Sequence, residues 1–405
     1  MLKLYLLILL VVLVFPIAKG GFSISPIEED VAAYRWNLGW WEATHFWNKW
    51  IYKGKIALTS NKSNTEHENI LVSFFNTSRK IHDLEENAGN RRGIQRTIST
   101  TSSDVMSAGE TASLHESQSK LKPVVEEYIE NIVGSTLSRH GLESRLGILW
   151  PPVDVDFSDA PYVLIVSPRD KIERQMTLTL SPSLSSANID ELERVLIARH
   201  NVSAFITSIA GIATYPSIVP PSQELRGSLQ SLIHEWLHQY WFFHPLGRNY
   251  WRDSNMTTLN ETAANLAGYE IGEQVFQALL ANTEVIVEED QSEFVYKKEF
   301  DFKSEMKRTR LSVEQMLSDG MVDEAETYMQ DRRLVFENEG FYIRKLNQAY
   351  FAFYGSYGDN PASISPINDE VDKYWQSFRS IGEFIRHVAK FSTYEEFQQE
   401  AGFEH

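Results

Sequence analysis

The run His234-Glu235-Trp236-Leu237-His238 constrains this chain more than any other five residues. On a helix, side chains four apart lie one above the other, so both imidazoles project from one face. That spacing suits two nitrogen ligands on one tetrahedral zinc, and Glu235 is placed beside them to take a proton from a zinc-bound water. The surroundings predict the helix. Pro220-Pro221 breaks the chain, Ser222 supplies a cap and Glu224 favours the first turn. Leu225, Leu229, Leu232 and Trp236 then follow at helical spacing, and Ile233, Leu237 and Tyr240 widen the stripe. A helix this apolar is buried, and two histidines and a glutamate on it need partners. A metal supplies them; ordinary hydrogen bonds to two core histidines are the alternative.

Two histidines leave a catalytic zinc one protein ligand short, and the chain has no cysteine. Asn260-Glu261-Thr262-Ala263-Ala264 offers the third ligand in Glu261. Glu261 is expected to open a helix that runs through Glu270 toward Leu280. Ala264, Ala267 and Gly268 are small enough to let it pack closely on the first helix. Asn265, one turn on, is placed to orient a ligand histidine. The alternative for Glu261 is a first-turn glutamate favoured by the helix dipole. His244, ahead of Pro245, is either a further ligand or a helix-end histidine.

His234-Glu235-x-x-His238 and Asn260-Glu261-x-x-Ala264, with 22 residues between His238 and Glu261, resemble the gluzincins, the thermolysin-like clan of zinc metallopeptidases. The similarity spans about 60 residues, from Thr207 to Gly268. It implies one Zn²⁺ per chain on His234, His238 and Glu261, with Glu235 as general base. Asn265 falls where thermolysin carries a supporting acidic residue. The implied fold is α+β and mainly helical: a two-lobed zincin domain with a small mixed sheet around the active-site helix. An edge strand along the cleft would pair with an extended peptide, and Gly211, Ala213 and Tyr215 are the substrate-binding candidates. An ordinary edge or core strand is the alternative there. The G-x-M-E-N segment of the large zinc aminopeptidases and the third-histidine extension of the metzincins are both absent. Endo- and aminopeptidase readings therefore both stand.

Residues 162–166 and 176–180 read as strands and 189–198 as a helix. Farther on, 312–317 and 322–337 read as helices, and the acidic connector 284–290 as a solvated loop. Catalysis at zinc needs a donor for the developing oxyanion. Tyr354 is the first candidate, followed by Tyr350, Tyr357 and His387; an aromatic core stripe is the other reading of these tyrosines. Asn347 and Ser356 are candidate substrate contacts.

Residues 4–18 form a continuous apolar run after Lys3, short for a spanning helix and normal for a signal segment. Cleavage after Gly20 and an uncleaved anchor are the two readings, and both place the catalytic part outside the cytoplasm, secreted or membrane-anchored. Residues 21–60 form a Trp-rich segment with Trp36, Trp40, Trp41, Trp47 and Trp50, which either docks as a helix or lies at a membrane interface. Residues 61–120 read as polar and partly flexible, with 97–119 a linker or exposed loop. Residues 121–405 read as the catalytic domain, with an upper lobe at 121–245 and a helical lower lobe at 246–405. The net charge of −17 argues against a nucleic-acid partner. The expected activity is zinc-dependent hydrolysis of a peptide or protein substrate. The rival readings are a zincin-scaffold binding or sensor module, and a zinc hydrolase of non-peptide amides or esters.

Overall fold

The structure, a computed structural model, describes residues 25–42, 44, 64–94, 102–221, 224–280 and 300–403. The apolar run 4–18, Ser222, Trp47, Trp50 and the acidic connector 284–290 lie outside them. The fold is α+β and mainly helical with a small sheet. Among the described residues, no helix is long and apolar enough to cross a membrane.

Strands β2 (Tyr162–Pro168), β3 (Met176–Leu180) and β4 (Val202–Thr207) form an antiparallel sheet in the order β3-β2-β4. Val166 faces Met176 on one side of β2, and Val163 faces Thr207 on the other. Successive strand residues point to opposite faces. Leu164 and Val166 pack on Leu192 and Leu196 of helix α4 (Ser186–His200), while Val163 and Ile165 pack on Ala349 and Phe353. Both faces are covered, which is why the β2 sequence is a continuous apolar run rather than an alternating one. Strands β1 (Val155–Asp156) and β5 (Ser217–Ile218) form a separate parallel pair. The expected single mixed sheet is therefore two sheets, one antiparallel and one parallel.

Residues 61–120 depart most from expectation. Where they are described they are helical, and 102–119 is no linker or loop: α2 (Asn64–Ile94) and α3 (Ser102–Arg139) are long helices packed on each other. Leu71, Phe74 and Phe75 of α2 meet Val125, Ile129 and Val133 of α3 in the main core. In the Ser-rich part of α3, Ser117 turns its hydroxyl back to the Ser113 carbonyl at 3.0 Å. Near Ser25, the short helix α1 (Pro26–Asp30) carries a full capping box with Glu28.

The centre of the molecule is the pair α5 (Leu225–Phe242) and α7 (Ser254–Leu280), joined through the short helix α6 (Pro245–Arg248). A Cβ on Gly268 would sit 3.0 Å from the Gln230 carbonyl oxygen, and one on Gly272 2.8 Å from the Gln230 side chain. Ala263, Ala264 and Ala267 are fully buried beside them. The small residues thus let two backbones approach as expected. Helix α7 begins two turns before Glu261, so that residue is inside the helix and the first-turn dipole explanation for it falls away. The remaining helices are α8 (Phe302–Ser318), α9 (Val322–Asn338), α10 (Gln348–Tyr354), α11 (Ile367–Trp375), α12 (Ile381–Val388) and α13 (Tyr394–Ala401).

Candidate metal centre

Helix α5 turns its apolar stripe into the core. Trp236 and Trp241 are fully buried, and their indole N–H groups donate to the Pro151 and Ile385 carbonyls at 2.9 and 3.3 Å. This fixes the helix azimuth and leaves His234 and His238 facing α7. Ligand atoms of His234, Glu235 and His238 all lie within 4.8 Å of one another, a group able to hold a metal ion. Glu261 joins it from α7. His234 Nε2 and His238 Nε2 are 2.9 Å apart, and Glu261 Oε2 is 3.4 and 3.6 Å from them. A tetrahedral ion about 2.0–2.1 Å from each ligand atom would hold those atoms roughly 3.3–3.4 Å apart. Glu261 Oε2 is buried and has no hydrogen-bond partner among the described residues. A buried carboxylate oxygen without a donor is costly, and a cation between it and two imidazoles satisfies it. The donor set fits a metal.

The neighbours orient these groups. Asn260 Oδ1 accepts from His238 Nδ1 at 2.9 Å, and the Asn260 amide donates to the Leu246 carbonyl at 3.5 Å. That bond engages Nδ1 and turns Nε2 of His238 toward Glu261 and His234. The supporting role expected of Asn265 therefore belongs to Asn260; Asn265 instead donates to Asp359 at 2.9 Å. Tyr250, which no sequence pattern singled out, donates its hydroxyl to Glu261 Oε1 and sets its ring edge-on to His238. His244 is not part of the group. It caps α6 with its ring against Tyr240, 4.7 Å between centroids.

Electrostatics couple the cluster. Burial alone would lower the His238 pKa, but the Glu261 carboxylate outweighs it and pushes it up to about 9. Burial works to raise Glu261, yet His238 and His234 hold it well below the usual carboxylate range. Burial pushes the Glu235 carboxyl up against the pull of both histidines. The Tyr250 phenol is driven well above its ordinary value by burial and then by Glu261.

The cluster opens into a cavity of about 1500 Å³. Gly211, Ala213 and Tyr215 line it but form no strand. Residues 208–216 are irregular, with one bridge between Ile212 and Ile218. They lie between β4, which ends at Thr207, and β5, which begins at Ser217. Gly211 is there for close approach: a Cβ would sit 2.7 Å from Glu235 Oε1. Gln239, next to His238, pins this segment by donating to the Thr214 carbonyl and to Ser217 Oγ.

The tyrosine row divides. Tyr350 packs between Phe205 and Tyr354 in the core and is not in the cavity wall. Tyr354 lines the cavity, with its hydroxyl 3.3 Å from Thr207 Oγ1. Tyr357 also lines it, and its phenol is raised well above the ordinary value by burial, then by Glu261, with a contribution from Glu235. Of the row, Tyr357 carries this electrostatic tie to the cluster. His387 lies elsewhere, its ring against Phe378. Asn347 caps α10 and donates to the Ala204 carbonyl, so it is structural. Ser356 accepts from Arg174, a cavity residue that the sequence did not reveal. Comparison with known proteins gives no match: no family model, no curated protein and no solved structure is similar to this chain.

Proposed function

We propose that the chain is a zinc-dependent peptide hydrolase of the gluzincin kind, with a two-lobed zincin arrangement about the cleft. The observation that carries the reading is the orphaned Glu261 Oε2 facing two imidazole nitrogens at metal-ligand spacing. His234, His238 and Glu261 would hold one Zn²⁺. The ion supplies Lewis acidity that makes water a nucleophile near neutral pH. Glu235 accepts the proton of the attacking water and passes it to the leaving amine, a task suited to a carboxyl raised by burial. Tyr357, with Tyr354 as the second donor, stabilises the oxyanion. Asn260 engages His238 Nδ1, and Gly211 leaves room above Glu235.

The cavity favours a chain-like substrate. Its wall follows α5 from Gly227 past the histidines to Phe242, a span of about 22 Å at 1.5 Å per residue. That room on both sides of the cluster supports a peptide passing through. The apolar run 4–18 supports an extracytoplasmic protein, secreted or membrane-anchored. Turnover of a peptide library by the zinc-loaded chain and its Glu235→Gln variant tests the reading. A folded, zinc-loaded variant should lose about 10²–10⁴-fold in rate. Undiminished turnover would remove Glu235 from the mechanism.

A further inference from the structure

Two arginines, Arg169 and Arg174, lie five residues apart between β2 and β3, and they are treated differently. Arg169 is tied down: its guanidinium donates to Glu326 at 2.8 and 2.7 Å, to Asp323 at 2.8 Å and to Asn201 at 3.1 Å. Arg174 is half-buried and has no carboxylate partner among the described residues. Its guanidinium donates to the Ser356 hydroxyl and lies 5.6 Å from the centre of the Phe353 ring. In a chain with 55 acidic and 38 basic residues, a partly desolvated arginine without an acid is unusual. Arg174 is also the one Lys or Arg in the cavity wall among the described residues, on the same wall as Tyr250 and Tyr357.

We propose that Arg174 is an anion-recognition site that binds a carboxylate of the peptide substrate. The guanidinium is planar and presents a fork that matches a carboxylate in two parallel hydrogen bonds. Ser356 and Phe353 hold one edge and one face of it, which leaves donors free for the ligand. Arg174 shares the cavity wall with Tyr250 and Tyr357, and its charge acts on both phenols. It is a binding residue that selects substrates. The assignment rests on the peptidase reading, and a binding experiment separates the two.

The full chain carrying Glu235→Gln and loaded with zinc is titrated with three N-blocked hexapeptides of alanine and phenylalanine. One has a free C-terminal carboxylate, one is its C-terminal amide, and one is that amide with a single internal glutamate. At least one anionic peptide should bind about tenfold or more tighter than the plain amide, and which one identifies the carboxylate. Arg174→Met should abolish that preference while leaving amide binding intact, which also reports that the variant is folded. Arg174→Lys should restore part of it. Equal binding of all three peptides, binding of none, or a preference that survives Arg174→Met would overturn the site. Hydrolysis by the Glu235 chain is measured alongside. Cleavage without any carboxylate preference sinks the Arg174 site and leaves the peptidase standing; carboxylate binding without cleavage does the reverse.

Discussion

Glu193 in the sheet layer and Glu261 in the helical centre are both buried carboxylates, and their neighbours are opposite in kind. Glu193 is closed. Its oxygens receive Arg344 at 2.6 and 3.1 Å, Lys345 at 2.9 Å and the Ile206 backbone N–H at 2.7 Å. Glu261 is open: one oxygen takes the Tyr250 hydroxyl and the other has only two imidazoles at ion-pair distance. Full satisfaction joins α4, β4 and the segment before α10 into one unit. Partial satisfaction leaves a coordination position aimed at His234 and His238. Burial alone does not mark a functional carboxylate; the unspent lone pair does.

The first way to break this comparison is to unpair Glu193. Glu193→Gln takes the buried acid from Arg344, which keeps Asp190 at 3.4 Å, and from Lys345, and it should cost about 1.5–3 kcal/mol in urea unfolding. Metal content should stay that of the wild type. A variant that loses metal along with stability would mean the two regions are not independent. Asn260→Ala sharpens the other side. Freeing the His238 ring should weaken metal binding by roughly 10–100-fold in a chelator competition while barely changing the fold. An unchanged affinity would return the supporting role to some other group.

The smallest effect is in acid. Burial works to raise Glu193, but Arg344 and Lys345 prevail and hold its pKa below the ordinary carboxylate value. A lowered folded pKa means the contribution is fully present above about pH 4.5 and fades as pH drops through the folded value. Thermal unfolding between pH 6 and 3 should show this loss in the wild type and not in Glu193→Gln. Parallel acid limbs in both proteins would contradict the assignment.

Much of this arrangement is legible in the sequence wherever the signal is local. The helical period around His234 and His238, the small residues Ala264, Ala267 and Gly268, the apolar run of β2 and the alternation of β3 all report elements found where expected. The start of α7 was hidden because Thr257 and Thr258 are poor helix formers by themselves. Their hydroxyls are satisfied in place, Thr258 by the Ser254 carbonyl at 2.9 Å and Thr257 by that of Tyr250 at 2.7 Å. Helix α2 and the Ser-rich first half of α3 were hidden because few large apolar residues, such as Phe74 in α2, stand among many polar ones. Tyr250, Arg174 and the exchange of Asn265 for Asn260 depend on which elements face each other, and no spacing along the chain encodes that.

Metal content by mass spectrometry, on the wild type and on Glu261→Ala, tests the central claim most directly. The account predicts close to one zinc per wild-type chain and little in the variant, with both folded. A folded wild type that takes up no zinc on reconstitution, or a Glu261→Ala protein that keeps it undiminished, would contradict the account.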